Sequence, residues 1–555
     1  MRSRIIVFTL IAFLLLPACR NNSSSSSQRD DSVIIAEIDS LCTDLRAPEL
    51  GQGTLCIDNG FRVARDDFSF ANWGRSQSAD SNVTIQTLID LFGHNSVCLP
   101  GNTSTCILRP TTQQTLESWN NALSGGRCEG LATMSARFFL NMDDPVSFRA
   151  SSSRVSDLRR DDAALNQAIV YWWSTQFLPE VADRAATSRT HSPLTITNNL
   201  IQGLAHGLGY TIGLYFGSSG HSLTPFAVTR RSKNYVIHVY DNNYPGQRRE
   251  ITIDSSDNSW RYPNAIVGPD GVATDWNGST GTLELTPMSA RQGPFTCPFC
   301  ETSPQSGPTV LTLASRDAAS PGFIRITTRN NGIIEATPTS ITNTITGSVY
   351  TVNKGINSSL ITVQIPSTIG DIDIEVRRAT QEVPSADVVL GVRRPGMASV
   401  QISGNLASTV IGSKSDGDAI LAVRRDAIKI TAPAQEMARV TIAVGQQLSR
   451  HTLTDGNSLI VNSLSRSSIE VSLKGRSDEL IGSTLIDARE STLASLITLS
   501  INEEGKLTAD AAVVQPLQVQ QQRISSFVAR KTPPPTTTTT STTISVPSIE
   551  VSRPG

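Results

Sequence analysis

The hydrophobic residues of the chain change their spacing part-way along it. Up to about residue 207 they recur every three or four positions, which predicts amphipathic helices. Five such helices are expected at 34–45, 83–91, 112–123, 161–178 and 193–207. A further helix is expected to begin at Cys128, because the apolar residues that follow it fall on one helical face.

From residue 210 onward the apolar residues alternate with polar ones, as they do in strands that cover one face of a sheet. The first four strands are expected at 210–215, 221–228, 235–240 and 250–253. Helices followed by antiparallel strands predict an α+β domain, which we place at residues 34–303.

Beyond residue 309 aromatic residues are rare, and short alternating runs recur between turns that contain Gly, Asn and Ser. The clearest runs lie at 360–365, 372–376, 399–402, 427–431, 440–444, 469–473 and 496–501. They predict an all-β region at residues 309–515, made of one or two β-sandwich or β-solenoid units. No repeat is regular enough to decide between these two architectures.

Both ends of the chain carry other signals. Two arginines precede an apolar run at residues 5–16, which is too short to span a bilayer, and Leu16-Pro17-Ala18-Cys19 resembles a bacterial lipobox. These features predict a signal peptide at 1–18, lipid on Cys19, a flexible tether at 19–33 and a place in the cell envelope, outside the cytoplasm. A soluble secreted protein that loses Cys19 with its signal is the alternative. Residues 531–555, rich in Pro and Thr, predict a disordered tail.

The charge balance excludes one class of partner. The chain has 47 Lys and Arg residues against 49 Asp and Glu residues, and no block of basic residues occurs along it. Phosphate backbones are bound by clustered cations, so nucleic acid is not expected as a partner.

The cysteine count isolates one thiol. The chain has eight cysteines, and assigning Cys19 to lipid leaves seven in an oxidising compartment, an odd number. Six of them are neighbours in sequence and are expected to form three local disulfides: Cys42 with Cys56, Cys98 with Cys106, and Cys297 with Cys300. A redox-active or zinc-binding CxxC is the alternative for the last pair, but no thioredoxin-like unit surrounds it and the zinc spacing is too wide. Only Cys128 has no neighbour.

The context of Cys128 is typical of a nucleophile. Gly125 and Gly126 precede it, and the predicted helix begins with it. A helix N-terminus favours the thiolate through its dipole, and its free N–H groups can hold the oxyanion of an acyl intermediate. Glu129 would not help thiolate formation and is expected to point outward.

A base and an orienting residue follow downstream. His221 opens one predicted strand, and Asp241 follows the end of the next one. A hairpin brings these two ends to the same edge of a sheet, so Asp241 is expected to hold the imidazole in its useful tautomer. Asn242 is the second choice for that role. The six histidines have no paired metal-ligand spacing, so neither a metal nor another cofactor is expected.

Three motifs together resemble the papain-like cysteine peptidase superfamily, most closely its transglutaminase-like members and the bacteriocin-processing peptidases. They are Gly-Arg-Cys-Glu-Gly-Leu-Ala at 126–132, Gly-His-x-x-x-Pro-Phe at 220–226, and Tyr-Asp-Asn-Asn-Tyr-Pro at 240–245. The resemblance implies a nucleophile helix packed on an antiparallel sheet, with Cys128, His221 and Asp241 meeting in a cleft. The oxyanion glutamine of that superfamily has no clear match, and Asn120 or Asn121 is the substitute.

Two hypotheses of function follow. The first is a lipid-anchored thiol hydrolase or acyltransferase that acts on amide bonds of a protein or a cell-wall peptide. The second is a non-catalytic surface protein for binding or adhesion that retains the fold.

Overall fold

The structure is a computed structural model that describes residues 30–518 apart from short stretches. Those stretches are 44–46, 75–81, 100–103, 217–218, 268–272, 298, 301–307, 316–322, 337–340, 355–358, 379–386, 407–408, 411–419, 434–435, 445–446, 455, 466–467, 488–494, 502–506 and 514–516. The predicted signal peptide, Cys19, most of the tether and the C-terminal tail lie outside the described residues. Among the described residues no helix is long and apolar enough to cross a membrane.

Eight α-helices occupy the described part of the N-terminal half. They are α1 (Asp31–Leu41), α2 (Ile85–Phe92), α3 (His94–Val97), α4 (Pro110–Ala122), α5 (Cys128–Phe139), α6 (Ala163–Ser174), α7 (Pro179–Arg189) and α8 (Pro193–Ala205). Helix α1 begins inside the predicted tether, because Asp30 caps it by accepting a hydrogen bond from the backbone N–H of Ser32. Helix α7 was not predicted; it begins with a proline at its first position, directly after the turn that ends α6.

An antiparallel sheet of eight strands follows the helices in sequence. Its strands are β1 (Thr54–Asp58), β3 (Tyr210–Phe216), β4 (Ser219–Arg231), β5 (Asn234–Tyr240), β6 (Arg248–Asp254), β7 (Ser259–Val267), β8 (Ala273–Gly278) and β9 (Leu283–Pro287). They lie in the order β8-β7-β6-β5-β4-β3-β9, and β1 pairs with the far part of β4. The chain is thus a mixed α+β protein with mostly antiparallel sheets.

Helix α5 lies between this sheet and α6. On the sheet side, the Thr224 hydroxyl of β4 donates a hydrogen bond to the carbonyl of Ala132, at 3.1 Å. On the other side, Gly130 meets α6 so closely that a Cβ there would lie 2.2 Å from the carbonyl oxygen of Ile169. The helix that begins at Cys128 is therefore fixed on both faces.

The C-terminal half consists of strands in two large sheets. The bounds are β10 (Thr309–Ser315), β11 (Phe323–Thr328), β12 (Ile333–Ala336), β13 (Ile341–Asn343), β14 (Val349–Lys354), β15 (Ser359–Ile365), β16 (Ile372–Arg378), β17 (Asp387–Arg393), β18 (Ser399–Asn405), β19 (Thr409–Val410), β20 (Leu421–Val423), β21 (Ala427–Thr431), β22 (Met437–Val444), β23 (Gln447–Thr454), β24 (Ser458–Ser465), β25 (Ser468–Lys474), β26 (Leu480–Asp487), β27 (Ser495–Ile501) and β28 (Leu507–Val513). One sheet has the order β14-β15-β10-β17-β18-β22-β23-β27-β28. The other has the order β13-β12-β11-β16-β20-β21-β24-β25-β26, with β19 beside β16.

The two large sheets share one hydrophobic core. Alternate residues of β10, such as Leu311 and Leu313, are buried in the same cluster as Ile324 and Ile326 of β11 in the other sheet. Two sheets that bury their inner faces against each other form a β-sandwich rather than a solenoid.

Helix α4 joins the N-terminal domain to the sandwich by packing against β10, β15, β17, β18 and β22. The buried Gln114 amide nitrogen donates to the carbonyls of Thr312 and Val389, at 3.0 and 2.6 Å, and its oxygen accepts from the Thr312 hydroxyl at 2.6 Å. A second connection pairs β2 (Thr105–Cys106) with β29 (Leu517–Gln518), near the end of the described chain.

The six paired cysteines form the three local disulfides expected from sequence. Cys42–Cys56 joins the end of α1 to β1, Cys98–Cys106 closes the segment after α3, and Cys297–Cys300 closes a short loop before β10. The prediction of disulfide bonds is confirmed. Cys128 is a free thiol.

Candidate active site

Cys128 is the first residue of α5 and is half-buried. The turn before it needs glycine, because Gly126 has a φ of +116° and a Cβ there would lie 2.7 Å from the side-chain nitrogen of Asn72. The backbone N–H groups of the first turn of any α-helix have no carbonyl partner inside that helix. The thiol therefore lies at the positive end of the α5 dipole.

His221 and Asp241 lie at one edge of the eight-stranded sheet. The register of β4 and β5 pairs Thr224 with Tyr240, so Asp241 comes level with the start of β4, where His221 lies. The His221 Nε2 is 2.7 Å from the Asp241 Oδ1. Both side chains are buried, with 4% and 0% of their area exposed.

The ionisation of His221 is set by its two neighbours. Burial alone would lower the pKa of the imidazole, but the charge and hydrogen bond of Asp241, together with its contact with the Cys128 side chain, raise that pKa from 6.5 to about 10. Burial would raise the pKa of Asp241, yet His221 and Tyr262 hold it below its usual value. At neutral pH the pair is an imidazolium and a carboxylate. Because Nε2 faces Asp241, Nδ1 is the ring nitrogen left for the thiol.

Asp241 is held by two further donors. The Asn243 backbone N–H donates to its Oδ1 at 2.8 Å, and the hydroxyl of Tyr262 on β7 donates to its Oδ2. Tyr262 is fully buried and had no signal in the sequence, since β7 was not among the predicted strands. Both oxygens of the carboxylate are thus used, which fixes its orientation toward His221.

Asn242 does not face the imidazole. Its side-chain nitrogen donates to the carbonyl of Cys128 at 3.1 Å and to the carbonyl of Ser222 at 2.9 Å. The side chain is fully buried. One amide therefore joins the backbone of the nucleophile to the backbone next to the base, and the geometry gives Asp241 rather than Asn242 the position of orienter.

Asn72 lies beside the nucleophile and was missed in the sequence. Its side-chain oxygen accepts from the backbone N–H of Arg127 at 2.7 Å, and its nitrogen donates to the Asn243 side-chain oxygen at 3.2 Å. Its own backbone N–H donates to the carbonyl of Asn242 at 2.7 Å. No motif marks Asn72, because it lies more than fifty residues before Cys128 in a segment without regular structure.

Of the two asparagines predicted to support the oxyanion, Asn120 has other partners. The Asn120 side chain forms hydrogen bonds to both the N–H and the carbonyl of Val83, at 2.8 and 2.9 Å. Asn121 belongs to α4, and its side chain lies outside the described residues. Asn72 is the side-chain amide that the structure brings to the nucleophile turn.

Glu129 does not point outward, so that expectation is wrong. It is buried, and its carboxylate accepts from the guanidinium of Arg291 and from the Thr211 hydroxyl at 3.2 Å. Nearby, Arg189 pairs with the buried Glu284 at 2.7 Å. Burying a carboxylate is costly unless it is paired, and Arg291, which is 1% exposed, supplies the compensating charge.

The remaining histidines lie apart from the triad. His238 is buried on β5 against the Thr229 hydroxyl, and burial lowers its pKa to about 4. His94 contacts the carbonyl of Thr105, and His206 lies at the end of α8. In the part of the chain that the structure describes, no three His, Cys, Asp or Glu side chains are grouped as a metal would need.

Comparisons of the chain with protein-family models, with curated proteins and with solved structures find no match. The functional argument rests on the chemistry of Cys128, His221 and Asp241.

Proposed function

We propose that this protein is a cysteine-dependent amide hydrolase or acyltransferase with a papain-like catalytic domain. The observation that carries the proposal is the buried hydrogen bond between His221 and Asp241, with the free thiol of Cys128 at a helix start near enough to help raise the pKa of His221. A nucleophile, its base and a third group that orients the base are the parts that nucleophilic acyl transfer needs.

The reaction begins with the thiol proton on His221 Nδ1 and the sulfur as thiolate. The thiolate attacks the carbonyl carbon of the amide, and the C=O electron pair moves to the oxygen. The C–N bond then breaks, the leaving amine takes the proton from His221, and a thioester on Cys128 remains. Water, or a second amine in an acyltransferase, gives a proton to His221 and attacks the thioester, which releases the thiolate.

The oxyanion of that intermediate would lie at the N-terminus of α5. The backbone N–H of Cys128 is one donor, and the side-chain amide of Asn72, held on Arg127 and Asn243, is the second. Donors fixed in advance stabilise the developing charge without reorganisation during the reaction.

The arrangement of elements also supports a papain-like domain. The nucleophile helix packs on an antiparallel sheet, while the base and orienter come from neighbouring strands of that sheet. From the lipobox we further propose that Cys19 carries lipid and holds the enzyme at the cell envelope, where a protein or cell-wall peptide is its substrate.

Alkylation of Cys128 by iodoacetamide at pH 6 tests the proposal. We expect the His221→Ala variant to react about ten- to a hundredfold more slowly than the unmodified protein, because it lacks the imidazole that takes the thiol proton and stabilises the thiolate. Mass analysis of the Cys128 peptide over time measures the rate. Because His94 lies outside the triad, a His94→Ala variant is the matched control and should react at the original rate.

If Cys128 hardly reacted at pH 6, and the His221→Ala and His94→Ala variants reacted at the same slow rate, the proposal of a cysteine-dependent enzyme would be wrong. The non-catalytic binding protein would then be favoured, with the large sandwich as its binding part.

The side-chain amide of Asn242, which donates to the carbonyls of Cys128 and Ser222, should matter more for kcat than for the free energy of unfolding. We expect Asn242→Ala to lower kcat for an amide substrate by roughly tenfold to a hundredfold, because a small displacement of reacting groups has effects of that order. Steady-state kinetics together with thermal unfolding measures both effects.

Thr224→Val is the matched control for Asn242→Ala. It removes the neighbouring side-chain hydrogen bond from β4 to α5, on the carbonyl of Ala132, without touching Cys128. Its kcat should stay within a fewfold of the original. Equal losses of kcat in the two variants would show that kcat depends on holding α5 against the sheet by any hydrogen bond, and not on the bond to the Cys128 carbonyl in particular.

A further inference from the structure

A cavity of about 660 Å³ lies between residues 69–70 and the loop that precedes α6. Three arginines from that loop line it, together with Ser69, Phe70 and Ser156; the arginines are Arg149, Arg159 and Arg160. A volume of this size is in the range of small-ligand sites.

The cavity has an excess of positive charge. Arg149 pairs with Asp162 at 2.7 Å and lies 4.0 Å from Asp161, whereas no described carboxylate lies within 4 Å of the guanidinium groups of Arg159 and Arg160. The one carboxylate in the lining, Asp157, already accepts hydrogen bonds from the backbone N–H groups of Ser153 and Arg154, which lower its pKa. The exposed guanidinium groups of Arg159 and Arg160 therefore remain available to an anion.

The cavity adjoins the nucleophile turn through Trp73. The guanidinium of Arg160 lies 5.0 Å from the centre of the Trp73 ring, and that of Arg127 lies 4.9 Å from the same ring. Arg127 precedes Cys128 directly, and its backbone is held by Asn72. The Phe70 ring on the cavity wall lies 5.8 Å from Trp73, so the wall continues into the segment that borders the site.

We propose that this cavity is a substrate subsite that binds a carboxylate side chain, so the enzyme prefers acidic polypeptide segments. The inference rests on the proposed function and adds its substrate class. Guanidinium groups bind carboxylates through paired hydrogen bonds, the Ser156 hydroxyl adds a donor, and Phe70 offers contact to the methylene groups of a glutamate. Because the guanidinium groups of Arg160 and Arg127 each lie about 5 Å from the Trp73 ring, they are within about 10 Å of each other. An extended chain rises about 3.3 Å per residue, so we place the acidic residue roughly two to four positions from the scissile bond.

Two double-headed epoxysuccinyl peptides test the subsite on the full-length protein. In both, peptide residues are attached on the two sides of the epoxide that reacts with the thiol. One peptide carries Glu at the second to fourth residue on each side, and the other carries Gln at the same positions. We expect the Glu peptide to modify Cys128 about five- to twentyfold faster at low salt, measured by mass analysis over time. The ratio should fall toward one in R159Q and R160Q, and also at high ionic strength, which screens charge.

Two further variants isolate the cause. Arg154 is an exposed arginine of the same loop outside the cavity lining, so R154Q should keep the preference. R160K keeps the positive charge but loses the planar contact with Trp73, so this variant should retain part of the preference for the Glu peptide. If R154Q lowered the ratio of the two modification rates as much as R160Q does, the subsite would be overturned, because the preference would then come from the overall positive charge of the surface. Equal rates for both peptides would overturn it too, while failure of both peptides to modify Cys128 would count against the proposed function itself.

Discussion

Replacing Asp241 with asparagine is expected to lower the turnover of an amide substrate by up to about 10⁴-fold, the loss that the same change causes in a Ser–His–Asp triad. The asparagine lacks the negative charge that raises the pKa of His221, so the imidazolium loses the stronger of its two stabilising partners. Steady-state kinetics at pH 7 measures the loss. Tyr262→Phe is the milder comparison, because it removes one hydrogen bond to Asp241 and leaves the charge in place.

The same variant should change how stability depends on pH. The pKa of His221 is raised to about 10 in the folded protein, so its contribution is complete below 6.5 and is lost as the pH rises through about 10. The pKa of Asp241 is lowered, so its contribution is present above its unfolded value of about 3.8 and is lost as the pH falls through the folded value. The difference in Tm between the original protein and Asp241→Asn should therefore be largest near neutral pH and shrink toward both extremes. A difference that is constant with pH would contradict the ion pair.

Replacing Gly130 with alanine is expected to destabilise the protein by about 1–3 kcal/mol or more, because α5 and α6 touch at this glycine. The new methyl group would lie 2.2 Å from the carbonyl oxygen of Ile169 and 2.9 Å from the Cβ of Trp173, so the helices must separate. Gly130 is two residues from Cys128, and we expect activity to fall with stability. Denaturant unfolding and the rate of Cys128 alkylation measure the two effects.

Gly370→Ala is the control for that change. A Cβ at Gly370 has nothing within 4 Å, and the backbone there does not need glycine, so its stability should change by less than about 0.5 kcal/mol. If Gly130→Ala were as mild as Gly370→Ala, the close approach of α5 to α6 would not be real.

The sequence indicated the three side chains of the proposed triad because their signals are local or follow chain order. Cys128 was marked by its glycines and by being the cysteine without a neighbour, while His221 and Asp241 were marked by their positions at the ends of two consecutive strands. A hairpin between those strands is enough to bring the last two together. No long-range knowledge was needed for these choices.

The supporting residues could not be chosen in this way. Asn72 and Tyr262 reach the site from distant segments, and only the tertiary fold decides which side chains those segments present. Glu129 was expected to point outward because a carboxylate would not help thiolate formation at Cys128, and its partner Arg291 lies 162 residues further along the chain. Burial of a charged pair of this kind has no periodic signature.

In the C-terminal half, individual strands could be predicted from the sequence, but their pairing could not. Alternating runs predicted seven of the nineteen described strands from β10 to β28, because alternation marks a strand with one buried face. The assignment of strands to two sheets depends on which strands pair, for example β10 between β15 and β17, and this follows from the fold as a whole. The choice between sandwich and solenoid therefore had to come from the structure.

The docking of α4 on the sandwich has a consequence for the order in which the protein matures. Gln114 forms hydrogen bonds with residues 198 and 275 positions later, and α4 also contacts β22. Contacts of such long range form late, after the distant strands have been synthesised and paired. Because α4 ends only six residues before Cys128, we expect the nucleophile turn to reach its final geometry late in folding, after most of the sandwich has assembled. A chain interrupted before that point would carry Cys128, His221 and Asp241 without the geometry that the proposed reaction needs.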